Sequence, residues 1–499
     1  NTDYATPATG TRFTHSISTF PGMCGCPVVN NSNGTLLGIH VGANKDNMKN
    51  EFQTFSADIV AALSTPPSAF KPRPGSWSFE PDFCGYEKTN LTLQASFNGN
   101  LITKMNETIS GFGANLTAKY ISPPTVSNIK AFEKLNFKAF ELIGHMPSNL
   151  LDKHTIIGQN KYLQEFLQLN TSFQWVLEHF YEYAPSCLDY EAYFKDVTKF
   201  DRQPNITKHD IPTFEAAKAY LIHILHDAGL TPCRRKTAEE VVRDIQWSTS
   251  SGAAYAFKKG ELLSDMSDDQ VITFAQTCHD KFVAGEAPGI WNGSLKAELR
   301  PIEKVEAKKT RVFTAAPITS LMAMKFYVDD FNKKFYRTHL KAPHTVGINK
   351  FNRGWEKLYH KLNKEGWMHG SGDGSRFDSS IDPFFFEAIK DIRQHFFDGE
   401  HRDELDMIYD EILNTPICLA NGMVIRKCVG NNSGQPSTVV DNTLTLMLSF
   451  YYAYARKTGD LAFEDIENNF VFVCNGDDNK FAISPQFVTR FGSDFSPEL

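Results

Sequence analysis

Asp373 and Asp378, five positions apart, and the adjacent Asp477 and Asp478 are the first residues to stand out in this 499-residue chain. The first two lie in Asp373-Gly374-Ser375-Arg376-Phe377-Asp378. Carboxylates so spaced at the end of a strand can divide their work, one holding a metal ion and the other facing a ligand. The second two lie in Phe470-Val471-Phe472-Val473-Cys474-Asn475-Gly476-Asp477-Asp478-Asn479-Lys480-Phe481-Ala482-Ile483, where apolar β-runs flank a tight turn. That pattern predicts a hairpin with carboxylates at its tip. Adjacent like charges repel unless water or a cation separates them. Asp373, Asp477 and Asp478 together would suit two divalent ions about 3.5–4 Å apart, a clamp for the attacking and leaving oxygens of an in-line displacement. Mg2+ fits carboxylates and phosphates best, with Mn2+ as the alternative. Taken alone, each acidic pair is also what a solvated turn displays.

A second group concerns ligand recognition. Gly430-Asn431-Asn432-Ser433-Gly434-Gln435-Pro436-Ser437-Thr438-Val439-Val440-Asp441-Asn442 is a flexible loop running into an apolar helix that begins near Pro436. Thr438 and Asn442, four apart, share one helix face. Their hydroxyl and amide can read a sugar hydroxyl, the group that separates RNA from DNA; an ordinary capped helix would look the same. Residues 296–311 hold six cations and three acids, among them Lys296, Arg300, Lys309 and Arg311. Such a stretch can grip a triphosphate and shield it from the acids, or simply be a solvated surface.

These residues need elements to hold them. Asp382-Pro383 opens a helix with Asp at the N-cap and Pro at its first position, and its stripe is Phe385, Ile389, Ile392 and Phe396. Helical spacing also runs through Tyr162, Leu163, Phe166 and Leu167, and through residues 214–229, where Phe214, Ala217, Tyr220, Leu221, Ile224 and Leu225 repeat. All three stripes are expected to be core. Residues 1–63 have the rhythm of short strands, with Asn33-Gly34 as a hairpin turn between Cys26–Val29 and Leu36–Val41. A Pro-rich connector, 66–75, follows. The C-terminal half mixes helices with short β-runs, so the fold class is α+β.

Apolar residues at 41% and charged residues at 22% exclude a disordered chain. The richest apolar stretch, Leu444–Ala455, falls short of the roughly 18 residues a spanning helix needs, so no transmembrane segment is expected. A net charge of −7 excludes overall basicity as a route to nucleic acid, leaving a local patch as the only one. Nine scattered cysteines without CxxC pairs point to a reducing compartment. Forty phenylalanines imply large cores.

In the order basic stretch, D-x4-D, SGxxxTxxxN and GDD, the motifs resemble those of viral RNA-dependent RNA polymerases, most closely the potyvirus-type nuclear inclusion b polymerase. Supporting strings are residues 291–306, Arg311-Val-Phe-Thr-Ala-Ala-Pro317, Val328-Asp-Asp-Phe-Asn332, Phe377-Asp-Ser-Ser380 and 430–443. The resemblance covers about 147–499. It implies a right hand of fingers and palm over 95–499, with the thumb expected to lie beyond Leu499. It implies that Asp373, Asp477 and Asp478 are catalytic carboxylates holding two ions, that Asp378 and Asn442 contact the ribose with Ser433 and Thr438 arranging that contact, and that Lys296, Arg300, Lys309 and Arg311 bind triphosphate. Ser371 stands where these polymerases usually carry a further Asp. Partners implied are RNA template and product, nucleoside triphosphates and other viral replication proteins. The location implied is host-cell cytoplasm, in replication complexes, with the nucleus as a second site.

Gly22-Met23-Cys24-Gly25-Cys26-Pro27 and Gly38-Ile39-His40-Val41-Gly42 resemble the second barrel of chymotrypsin-like viral cysteine proteases, the potyvirus nuclear inclusion a protease in particular. By that resemblance residues 1–94 are a partial β-barrel with its tail. Cys24 is then the nucleophile, His40 and Thr19 form the pocket for a substrate Gln, and His15 lines it. The activating His and Asp are expected upstream of Asn1. The expected junction is a cleavage between Gln94 and Ala95, in Leu91-Thr92-Leu93-Gln94-Ala95. Two rival functions stand beside template-directed RNA synthesis: proteolysis alone with an inert polymerase part, and a non-enzymatic RNA-binding replication scaffold.

Overall fold

The computed structural model describes residues 7–9, 12–15, 27–29, 36–44, 49–53, 121–147, 161–169, 174–180, 182–204, 210–255, 257–285, 289–349, 353–397, 399–401 and 404–493. Two compact units emerge, Asn1–Pro72 and Arg73–Leu499. The connector 66–75, the Gln94–Ala95 junction, Cys24 and Thr19 lie outside the described residues.

The first unit is an antiparallel sheet of β1 (Pro7–Thr9), β2 (Arg12–His15), β3 (Pro27–Val29), β4 (Leu36–Asn44) and β5 (Lys49–Gln53), in the order β1-β2-β5-β4-β3. The β-rhythm of the sequence is thus real. β3 and β4 pair as expected, although their Asn33-Gly34 turn lies outside the described residues. Val28 and Phe52 are buried. His15 and His40 occupy the two strands that flank β5, opposite Asn50 and Phe52.

The second unit is α+β. A five-stranded sheet has the order β10-β8-β12-β13-β6, formed by β6 (Glu141–His145), β8 (Trp291–Leu295), β10 (Val312–Ala315), β12 (Pro416–Cys418) and β13 (Met423–Arg426). β7 (Tyr183–Pro185) pairs with β9 (Leu299–Pro301). A three-stranded antiparallel sheet, β11-β15-β14, joins β11 (Met368–Gly370) to the hairpin of β14 (Phe470–Asn475) and β15 (Asp478–Ile483).

The longer helices of this unit include α1 (Ile211–Asp227), α2 (Asp268–Val283), α3 (Ile318–Tyr336), α4 (Pro383–Phe396), α5 (Glu404–Leu413) and α6 (Thr438–Thr458). α2 packs on α3, and α1 on α6. α6 is buried nearly all round, through Leu444, Met447, Leu448, Phe450, Tyr451, Ala453 and Tyr454, which marks a central helix of a large core. The apolar stretch 444–455 is therefore interior, and among the described residues no helix is long and apolar enough to cross a membrane. The hairpin lies on α6 through rings: Phe450 sits 4.9 Å from Phe472 and 5.6 Å from Phe470. Part of the phenylalanine excess is spent here.

Two of the three stripes behave as expected. Phe214, Ala217, Leu221 and Leu225 are buried on α1. Asp382 caps α4 by accepting from the Phe384 N–H at 3.1 Å, and Ile389, Ile392 and Phe396 are buried. The third needs correction. Residues 161–169 do form a helix, but Leu167 alone of its stripe is buried, while Tyr162 is 85% and Phe166 50% exposed. Periodicity identifies a helix with an apolar face; it does not say that the face is covered.

Candidate active site

The hairpin tip is built from both ends. Asn475 pairs with Asp478, which leaves Gly476 and Asp477 as a two-residue turn. Gly476 has φ +66°, a value that glycine adopts without steric cost and that hairpin turns of this length require. Its N–H donates to Thr443 Oγ1 on α6 at 2.8 Å, and that hydroxyl donates to the Val439 carbonyl at 2.6 Å. The turn is thereby pinned to the central helix. On the other side, β15 pairs with β11, Gly370 opposite Phe481. Asp373 follows three residues later. Asn479 reaches across with its amide, accepting from the Gly372 N–H and donating to the Gly372 carbonyl, both at 2.9 Å.

These constraints bring the acids within electrostatic reach of one another. The carboxyl of Asp477 is held above its ordinary value, by burial first and then by the charges of Asp378, Asp478 and Asp373. Asp373 and Asp478 are exposed. Among the described residues no group of three or more His, Cys, Asp or Glu is already arranged as a metal cage. The donor set is nonetheless all carboxylate oxygen, the type that hard divalent cations take, and the repulsion on Asp477 is what such a cation would relieve.

The loop 430–442 carries a different kind of order. Gly430, at φ +86°, presses against Ser379 so closely that a Cβ would stand 2.7 Å from the Ser379 Cα. Its N–H donates to the Ile381 carbonyl at 2.9 Å, and the Asn431 N–H donates to the Asp378 carbonyl at 2.6 Å. Asn442 Nδ2 donates to Asp378 Oδ1, while Asn442 Oδ1 accepts from Asn431 Nδ2 at 2.8 Å. Gln435 ties Asn431 to Asp441, at 3.1 and 2.8 Å. Thr438 Oγ1 closes the loop on the carbonyls of Asn432 and Gln435. Ser433 stands exposed at the loop surface. The arranging contacts to Asn442 thus come from Asn431 and, one step back, Gln435.

Beneath the loop lie charges that the motifs did not announce. Arg393 and Asp441, 1% and 0% exposed, form an ion pair at 2.7 Å. Asn332 and Ser437 also accept from Arg393, and the Tyr409 hydroxyl donates to Asp441 at 3.1 Å. Lys427 is fully buried and donates to the carbonyls of Ile412 and Gly430 at 2.6 Å each; burial pushes its pKa down to about 7. Glu411 accepts from Trp291 Nε1 at 2.7 Å, and burial pushes its pKa up to about 7.

The basic stretch folds around one acid. Glu298 accepts from Arg311 Nε and Nη2 at 2.8 and 2.5 Å, a bidentate pair, and stands 3.5 Å from Arg300 and 3.6 Å from Lys296. Glu298 holds Arg311 above its ordinary pKa, with smaller contributions from the charges of Asp196 and Asp477. The field of the acids therefore reaches the cations. Lys309 is exposed, with its backbone N–H closing a turn on the Lys304 carbonyl. Its neighbour Lys308 pairs with Asp189 and Glu191.

Comparisons with known proteins agree with this layout. The family described as viral RNA-dependent RNA polymerase matches residues 158–499. Genome polyprotein 1 of barley yellow mosaic virus (isolate Germany) is 54% identical over 98% of this chain and 21% of the polyprotein. That of barley mild mosaic virus (strain Na1) is 53% identical over 99% and 22%. The genome polyprotein of zucchini yellow mosaic virus (strain Singapore) is 36% identical over 96% and 15%. The chain spans about a fifth of the length of the two barley-virus relatives. A solved structure titled Sicinivirus 3Dpol RNA dependent RNA polymerase shares the fold, with a TM-score of 0.50 and 18% identity over 62% of this chain and 68% of its own. An acid-tipped hairpin on a central helix, on a right-hand polymerase fold and with this breadth of sequence identity, places the chain in the viral RNA-dependent RNA polymerase family, within a Potyviridae-like polyprotein segment.

Proposed function

We propose that residues 95–499 carry out template-directed RNA synthesis. An RNA 3′-hydroxyl attacks the α-phosphorus of a nucleoside triphosphate, and pyrophosphate leaves. The observation that carries this reading is the convergence of Asp373, Asp378 and Asp478 on Asp477 at the hairpin tip, where their charges add to burial in raising its pKa. Such an arrangement is unfavourable unless a cation joins it. Two divalent ions, Mg2+ or Mn2+, held by Asp373, Asp477 and Asp478, would neutralise charge on the attacking and leaving oxygens. The chain's own part is positioning and electrostatics, which phosphoryl transfer chiefly asks for. Lys296, Arg300, Lys309 and Arg311 bind the triphosphate, the cations around Glu298 exchanging that carboxylate for phosphate oxygens. Asp378 and Asn442, hydrogen-bonded to each other, contact the ribose, and the bonds from Asn431 and Gln435 hold that geometry. The partners are RNA template and product together with other viral replication proteins, in the host-cell cytoplasm and, as a second site, the nucleus.

Residues 1–94 are read as the end of a Gln-specific cysteine protease, with Cys24 as nucleophile and His15, Thr19 and His40 at the substrate pocket. The antiparallel sheet that places His15 and His40 on strands flanking β5 supports this. Cleavage is placed between Gln94 and Ala95. Treating the chain with active protease from the same polyprotein should yield a new N-terminus at Ala95; any other N-terminus removes that assignment. For the polymerase, Asp477→Ala in the enzyme that contains this chain should abolish incorporation of labelled nucleotide. Retained incorporation would overturn the metal assignment.

A further inference from the structure

Asn479 follows the acid pair directly, and no motif assigns it a role. The register sets Gly370 opposite Phe481, and extended by two residues it would bring Gly372 to Asn479. The backbone ladder stops at Gly370, however, because β11 ends there. Two residues on, the missing main-chain pair is replaced by a side chain. The Asn479 amide accepts from the Gly372 N–H and donates to the Gly372 carbonyl, each at 2.9 Å, and its nitrogen also lies 3.1 Å from the Asp477 carbonyl. One side chain therefore holds the residue before Asp373 and the backbone of Asp477. Among protein side chains only an amide offers a fixed donor and acceptor together in this form. A direct backbone pair would draw the strands to ladder spacing; an interposed amide keeps them apart while fixing their separation.

We propose that Asn479 is a positioning residue that sets the separation between Asp373 and the hairpin acids, and so tunes the affinity of the site for divalent cations. The proposal rests on the reading of these acids as metal ligands. The hydrogen bonds of Asn479 go to the backbone of Gly372 and Asp477.

The test measures Mn2+ binding to the full chain by the electron paramagnetic resonance of the free ion, for Asn479→Leu, Asn479→Gln and Asp477→Asn. Asp477→Asn should remove the tightest binding. Asn479→Leu should weaken it about tenfold, as the loss of two hydrogen bonds would, and Asn479→Gln, which keeps the amide, should recover part of the loss. In the active polymerase the Mg2+ concentration for half-maximal incorporation should rise by a similar factor in Asn479→Leu, with less change in rate at saturating Mg2+. If Asp477→Asn loses binding and Asn479→Leu does not, the positioning role is wrong and the active-site reading stands. If Asp477→Asn leaves binding unchanged, the active-site reading fails and the proposal with it. Should Asn479→Leu not fold, hydrogen exchange in the unchanged chain decides. The Gly372 amide, on an exposed residue, should exchange more slowly than its exposed neighbours; exchange at the unprotected rate would overturn the pairing.

Discussion

The hairpin tip and the loop 430–442 adjoin the same residues, Asp378 and α6, yet they are built on opposite principles. In the loop each buried polar side chain described above meets a partner: Asn431 with Asn442, Gln435 with Asp441, Asp441 with Arg393. At the tip, Asp477 faces like charge and lies above its ordinary pKa. A satisfied network is rigid and specifies one geometry. The acid cluster carries mutual repulsion instead, and the backbone around it is held by Thr443 and Asn479. On the proposed function, recognition falls where polar groups are paired, and chemistry where carboxylates face one another.

Six substitutions break or sharpen this contrast. The largest effect is expected at the tip, where Asp477→Ala removes charge stabilisation of several kcal/mol and should lower incorporation by about a thousandfold or more. Its effect on urea unfolding should be slight or even stabilising, because the acid is repelled in the folded state. The loop should show the converse. Asp441→Leu leaves Arg393 buried and unpaired and should cost about 3–5 kcal/mol of stability, read from the urea midpoint, with Arg393→Met in the same chain restoring part of it.

Asn442→Ala lies between the two. It frees Asp378 and should relax the preference for ribo- over deoxyribonucleotide by roughly ten- to a hundredfold in kcat/KM, the worth of one or two hydrogen bonds to a charged group. An unchanged preference would separate the loop from sugar reading. The smallest effects are the pH slopes of the buried scaffold. Glu411 is raised to about 7, so the folded chain binds the extra proton between about 4.5 and 7, and stability falls as pH rises through that window. Lys427 is lowered to about 7, so the unfolded chain binds the extra proton between about 7 and 10.5, and stability rises with pH there. Glu411→Gln should flatten the first limb and Lys427→Met the second. If both limbs persist in the two variants, these groups do not titrate as burial dictates.

Much of the local architecture was legible. The β14–β15 hairpin follows from apolar runs around Asn-Gly-Asp-Asp, and the capped start of α4 from Asp382-Pro383, because each depends on residues a few positions apart. What escaped depends on distance along the chain. Asn479 meets Gly372, Arg393 meets Asp441, and nothing in either local string announces the partner. Glu298 was visible as one of three acids among six cations, but nothing in the stretch told that three of those cations would close on it. The exposed face of the 161–169 helix shows the same limit, since spacing reports a stripe and only packing reports its cover.

Asn442 and Thr443 are consecutive residues of α6, their Cα atoms about 3.8 Å apart. Asn442 grips Asp378, and Thr443 grips the turn at Gly476. The link between Asp378 and the acid tip is thus one peptide unit long, set in a helix whose far end is clamped by rings. If the proposed function holds, a displacement of Asp378 by a bound sugar would pass through this one helix turn to the acid tip.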